Sequence, residues 1–426
     1  MDTGTATPLS HLLPLGTRVN EQGHLEFGGC DALELAREFG TPAYVVVEDD
    51  LRSRARSFVD AMAARQKDFD VLFASKAFPC TAVYRTLAQE GLACDVASGG
   101  ELALALAGGF DPRRTYLHGN AKSRRELREA LEIGVGHIVL DSLDELERLE
   151  PLAAELRPGQ EVLIRVTPDV SGETHDKIST GQANSKFGFS MDQARSAIER
   201  LGQSPSLRLV GVHFHIGSQL FELEPFALAV RAIAGLGDFP VYNLGGGLGV
   251  AYTAQQHPPT PEAYVDAIVS AADAELGPGK RILLEPGRAL VANSTVTLYT
   301  VESIKRNVST WVAVDGGMSD NLRPMLYDSR YEALLADRPF ATGGEICQLA
   351  GKHCESGDVI VRNVALDAPA VGDVIVTPAT GAYGYSMANT YNGVPRPPVV
   401  FCRDGDARVV VRRETYGDLM SRDVAP

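Results

Sequence analysis

Lys76 directly follows an apolar run, in the stretch Phe73-Ala74-Ser75-Lys76-Ala77-Phe78. A lysine leaving an apolar strand is expected to be partly buried, which lowers its pKa and frees its amine as a nucleophile. The bland alternative is a lysine whose head reaches solvent. Further along, Gly245, Gly246 and Gly247 offer backbone N–H groups that a phosphate can approach closely, although a triple glycine also serves as a plain turn. Glu285, Pro286, Gly287 and Arg288 set a carboxylate near an arginine. Such a carboxylate can keep a heterocyclic nitrogen protonated, or simply pair with Arg288. His215 has a flat ring that can stack on an aromatic ligand or merely fill a core, and Gly217 and Ser218 after it can add phosphate donors. Arg323 and Tyr327 are four residues apart and meet if the segment is helical. Cys354 sits among His353, Glu355, Ser356 and Asp358, polar company that suits a reactive thiol better than a structural one. Tyr383 lies in a turn flanked by Gly381 and Gly384, where its hydroxyl can reach a phosphate.

Something must bring these residues together. Strand-like runs at 71–75, 93–96, 115–117, 137–140, 161–166, 209–213, 241–244 and 281–285 alternate with helix-like stretches at 101–107, 123–133, 143–156, 191–201, 222–236 and 261–276. Alternation of this kind gives a parallel sheet, and eight units over this length favour a closed TIM (β/α)8 barrel. Chemistry in such a barrel belongs at the carboxyl ends of the strands. Lys76, Asp95, His118, His213 to His215, Gly245 to Gly247 and Glu285 all fall there. One such residue could be a strand cap; the whole set is hard to obtain from packing alone. After about residue 295 the texture turns β-rich, with runs at 295–301, 311–314, 359–361, 374–377, 398–402 and 408–412. The expected organisation is therefore an N-terminal segment, 1–47, whose strands (24–27 and 43–46) join a second all-β domain. The barrel spans 48–294, and the β domain is completed by 295–426.

Composition excludes several other classes. Hydrophobic residues at 44 % can fill a large core, and a formal net charge of -15 gives little support for nucleic-acid binding. Residues 1–16 lack the basic start and apolar run of a signal peptide, and no stretch suits a membrane span. The six cysteines are scattered without a CxxC pair, so neither a disulfide framework nor a metal site is expected, and a cytoplasmic location is the simplest.

In this order, the segments resemble the fold type III, alanine-racemase-like enzymes that use pyridoxal 5'-phosphate, and within them the diaminopimelate decarboxylase family. The resemblance runs from about Thr41 to Arg396 through the runs around Lys76, Asp95, His118, Ser185 to Gly188, His215, Gly245 to Gly247, Glu285 to Arg288, Arg323, Cys354 and Tyr383. It implies decarboxylation of meso-2,6-diaminopimelate to L-lysine, the last step of lysine biosynthesis. It further implies that Lys76 binds the cofactor covalently and that His215 stacks on its ring. Ser218, Gly245, Gly246, Gly247, the run Glu285-Pro286-Gly287-Arg288 and Tyr383 would hold it, with Glu285 on the ring nitrogen. Arg288, Arg323, Tyr327 and Tyr383 would face the substrate, and Glu355 its distal ammonium. Cys354 would protonate the reacting carbon. Cys354 and Glu355 would come from a partner subunit, so a homodimer is implied. The rivals are a decarboxylase of basic amino acids, for whose substrates Arg323 has no carboxylate to bind, a racemase, and a non-catalytic relative, which would have lost Lys76, Cys354 or the glycines.

Overall fold

The computed structural model describes residues 9–168, 186–340 and 343–424. Of the segments singled out above, Ser185 and residues 1–8 lie outside the described residues. The chain divides into two compact units. One comprises residues 54–249 and 258–289; the other comprises 1–53, 250–257 and 290–426. Residues 250–257, inside the range expected for the barrel, thus belong with the β-rich unit.

The first unit is a closed parallel barrel. Its strands are β1 (Phe69–Ala74), β2 (Ala93–Val96), β3 (Thr115–Leu117), β4 (His137–Leu140), β5 (Gln160–Arg165), β6 (Leu207–His213), β7 (Val241–Asn243) and β8 (Arg281–Leu284). Closure comes from β8 pairing with β1, with Leu284 opposite Val71. Leu72, Ala93, Tyr116, Val139, Leu163, Val210, Val241 and Leu283, one from each strand, form a single buried cluster. Only an interior can gather one residue from all eight strands, so the barrel centre is packed with side chains.

Short polar caps start the helices that follow. Ser98, Ser123, Ser142, Ser190 and Thr260 each accept a backbone N–H from the first turn of the next helix. At Ser123 and Ser190 the bond is reciprocated by Glu126 and Gln193, so each start is doubly satisfied. These caps fix where each strand-to-helix loop ends, and so fix the loops that carry the polar residues.

The second unit is built on a mixed nine-stranded sheet. Its spine, Thr295–Arg306, pairs antiparallel with Ala43–Val47, Val374–Thr377 and Thr310–Val314. Ala43–Val47 also pairs in parallel with Val399–Arg403, which places an N-terminal strand between C-terminal ones. A core that includes Leu25, Phe27, Leu35, Val45, Leu298, Val376 and Val400 packs around it. No helix among the described residues is long and apolar enough to cross a membrane.

Candidate active site

A polar residue stands within two residues of the end of every barrel strand: Lys76, Asp95, His118, Asp141, Arg165, His213, Asn243 and Glu285. Lys76 occupies the middle of a single 3-10 turn, Ser75–Ala77, after β1. The turn buries Ser75 and Ala77 and leaves Lys76 exposed. The expectation of a partly buried lysine is therefore corrected: Lys76 is the exposed residue of a tight turn whose other two residues pack, while its charge still reaches buried Asp95 and half-buried His215.

Glu285 is buried, and three groups converge on its carboxylate. Asn243 Nδ2 donates to Oε1 at 2.6 Å, His118 Nε2 lies 2.9 Å from Oε1, and His213 Nε2 lies 3.2 Å from Oε2. Burial alone would raise the pKa of Glu285, but His118 and His213 hold it well below the usual carboxylate range. His213 itself is pushed down to about 4 by burial. His215 is half-buried, and its Nδ1 accepts the Gly246 N–H at 3.3 Å, which leaves Nε2 as the protonated nitrogen of a neutral ring. Burial, then the nearby charges of Lys76 and Arg165, hold the His215 pKa well below its ordinary value.

The glycine loop after β7 fits only because it has no side chains. A Cβ on Gly245 would lie 2.3 Å from Phe214 O, one on Gly246 2.1 Å from Glu285 O, and one on Gly247 2.5 Å from Gly217 O. Gly245 and Gly247 also have φ of 67° and 122°, which other residues rarely adopt. Gly287 passes Ala74 so closely that a Cβ would lie 2.9 Å from that methyl, and Pro286 O accepts the Ala74 N–H. Arg288, buried, donates from Nη2 to Ser218 Oγ at 2.9 Å. The barrel thus gathers a glycine cradle, a hydroxyl and an arginine, a neutral flat ring, an ionised buried carboxylate and an exposed amine. That donor set fits a phosphorylated pyridine aldehyde: anion cradle, stacking ring, acid partner for the nitrogen and amine for the aldehyde.

In the β-rich unit, Arg323 opens a single-turn helix, Arg323–Tyr327, and is buried. Its guanidinium lies 4.4 Å from the ring centre of Tyr252, and Nη1 donates to Tyr331 Oη at 2.5 Å. Among the described residues no carboxylate pairs with it. Tyr327 is half-buried. Tyr383 has φ of 66°, a strained placement for a tyrosine, and Gly381 before it has no room for a Cβ, which would lie 1.8 Å from Val291 O.

Cys354 is the one exposed cysteine of the six, and Glu355 beside it is exposed too. Their loop is nonetheless tightly built. Buried Asp358 accepts the N–H groups of Met318 at 2.7 Å and His353 at 2.9 Å, and His353 Nε2 lies 2.9 Å from Ser319 Oγ. Asn392 Oδ1 accepts the Cys354 N–H at 3.0 Å. A thiol and a carboxylate are thereby held outward on a fixed support. Sequence reading found these residues but missed their supports. Asn243 and Tyr252 lie far in sequence from Glu285 and Arg323 and carry no local signal, whereas Tyr331 is near Arg323 in sequence and Asp358 shows its supporting role only through its bonds to Met318 and His353.

Residues 48–292 match the family model described as pyridoxal-dependent decarboxylase, pyridoxal binding domain. The chain is 45 % identical to the diaminopimelate decarboxylase of Bacillus subtilis, over 96 % of this chain and 97 % of that protein. The chain belongs to the diaminopimelate decarboxylase family. It is also 45 % identical to the family member of Actinosynnema pretiosum, over 99 % of this chain and 97 % of that one. Among solved structures, the diaminopimelate decarboxylase of M. jannaschii in complex with L-lysine superposes with a TM-score of 0.90 at 34 % identity, covering 96 % of this chain and 98 % of that one. As in that family, the fold is an eight-stranded barrel with a second, separate mixed-sheet domain, and the cofactor is pyridoxal 5'-phosphate.

Proposed function

We propose that the protein removes one carboxyl group of meso-2,6-diaminopimelate as carbon dioxide and leaves L-lysine, the last step of lysine biosynthesis. Beyond family membership, the observation that carries this reading is Arg323, a buried cation with no carboxylate partner among the described residues. A substrate with a second carboxylate supplies the missing partner. When bound, the cofactor supplies the electron sink for the bond that breaks. Lys76 would attach it, Glu285 would keep its ring nitrogen protonated, and His215 would offer its flat ring to it. Ser218, Gly245, Gly246, Gly247, the Glu285 to Arg288 run and Tyr383 hold it. Arg288, Arg323, Tyr327 and Tyr383 orient the substrate, and Glu355 meets its distal ammonium. As carbon dioxide departs, the electron pair left on carbon takes the proton of the Cys354 thiol, and the thiolate regains a proton from water. A free, exposed thiol suits a cytoplasmic location. The direct test is carbon dioxide release from a panel of diaminopimelate, lysine, ornithine and arginine. Release from diaminopimelate with L-lysine as product is expected; turnover of another member without it overturns the reading.

The exposure of Cys354 and Glu355 on a rigid loop supports a homodimer in which each copy completes the other's site. Cys354→Ala is expected to slow product formation by roughly 10²- to 10⁴-fold, the usual worth of a positioned acid, while the cofactor stays bound. Mixing inactive Lys76→Ala and Cys354→Ala chains should restore part of the activity, because one hybrid site then carries both residues. No recovery, with subunit exchange demonstrated by mass spectrometry, would refute the shared site.

A further inference from the structure

The barrel buries two carboxylates near one another, Asp95 in β2 and Glu285 after β8, at 7 % and 6 % exposure. Two buried like charges are costly to keep ionised together; ordinarily one takes a proton. His118, the first residue after β3, faces both with the same nitrogen: Nε2 is 2.9 Å from Glu285 Oε1 and 3.8 Å from Asp95 Oδ1. Its ring meets that of His213 edge-on, with centroids 4.7 Å apart.

The placement of His118 is fixed from behind. Its N–H donates to Val96 O at 2.8 Å. Lys122, four residues on and almost fully buried, donates to Gly119 O, Val139 O and Glu145 at 2.6, 2.7 and 2.7 Å. All three of its protons are used, so this lysine ties the loop after β3 to β4 and to the helix Leu143–Leu156. The charges that weigh most on His118 are those of Asp95, Glu285 and Arg165. Burial and Arg165 disfavour its cation, and the two carboxylates outweigh them and raise its pKa. His213, on the other oxygen of Glu285, stays neutral near pH 7, since burial pushes it down to about 4.

We propose that His118 is a positioning residue whose imidazolium supplies the positive charge shared by Asp95 and Glu285, and so keeps Glu285 ionised for the cofactor's ring nitrogen. The inference rests on the reading that Glu285 meets that nitrogen. Without His118, the two carboxylates must share a proton, and Glu285 holds it part of the time. Removing the rival charge at Asp95 then returns Glu285 to its ionised form, which a purely space-filling role for His118 cannot produce.

The test compares the full-length chains loaded with pyridoxal 5'-phosphate. His118→Gln, which keeps a donor of similar reach without the charge, is expected to weaken cofactor binding at least tenfold in equilibrium dialysis. His118→Gln with Asp95→Asn should recover most of that loss. Nitrogen-15 spectra of the histidine-labelled wild-type chain provide a measurement that needs no variant to fold: both ring nitrogens of His118 should carry protons at pH 7.5. A neutral His118 in those spectra, unchanged cofactor affinity in His118→Gln, or a double variant as weak as the single one overturns the proposal. Glu285→Gln separates the two levels. If it weakens cofactor binding while His118→Gln does not, only the role of His118 fails; if Glu285→Gln binds as tightly as wild type, the reading of Glu285 fails as well.

Discussion

Replacing Lys76 by alanine is expected to abolish decarboxylation and all borohydride-fixable cofactor. The loss should be on the order of 10⁴-fold or more in kcat, since a covalent tether and a positioned amine disappear together. The reason lies in what the barrel offers as a substitute. Lys122 also follows a barrel strand, yet it is buried against Glu145 and has given all three protons to neighbours. Lys76 stands exposed on a turn whose other two residues are packed, so its head can move while its base cannot. Borohydride reduction followed by peptide mass spectrometry reads the outcome. Cofactor fixed at another lysine of the Lys76→Ala chain would overturn the assignment.

Much of the barrel was legible because each parallel strand is an apolar run that stops at a polar or glycine residue, and the run alone marks it. Three of the eight strands, Ala93–Val96, Thr115–Leu117 and His137–Leu140, keep the bounds expected from sequence, and the rest differ by one or two residues at one or both ends. In the barrel, the helices opened by a capping serine or threonine were equally plain. The helix Thr81–Gln89 went unmarked; its N-cap is Cys80, which makes no side-chain cap bond and leaves no signature. In the β-rich unit, Glu345–Ala350 was missed because its exposed Ile346 breaks a clean alternation. The candidate residues themselves were legible as chemical types at strand ends and in polar loops. Their electrostatics were not. That Lys76 is exposed depends on a turn geometry, and that Glu285 is ionised depends on His118, His213 and Asn243, which only closure of the barrel brings together.

Arg323→Ala is expected to lower kcat/KM for meso-diaminopimelate by a factor on the order of 10⁴, as sites built on a buried polar partner do when that partner is lost. Cofactor loading should change little, because Tyr252 and Tyr331, which hold the Arg323 guanidinium, are not among the residues assigned to the cofactor. Among the described residues, the guanidinium is kept in place without an anion. Taking a cation out of water costs several kcal/mol, and here the partial compensation comes from the face of Tyr252, worth roughly 0.5–2 kcal/mol, and the hydroxyl of Tyr331. Neither is an anion, so a carboxylate brought by substrate makes a charge-assisted, fork-shaped pair that nothing else among the described residues provides. Lysine and ornithine bring no such group and leave the cation buried and unpaired, so wild-type enzyme should nearly ignore both. The alanine variant loses the preference chiefly by losing diaminopimelate turnover, not by gaining lysine turnover, since removing the cation relieves a penalty but creates no contact. Competition kinetics with the two substrates in one vessel measures the ratio directly. Comparable wild-type kcat/KM values for lysine and diaminopimelate would remove the reason for burying Arg323 and favour a decarboxylase of simple basic amino acids.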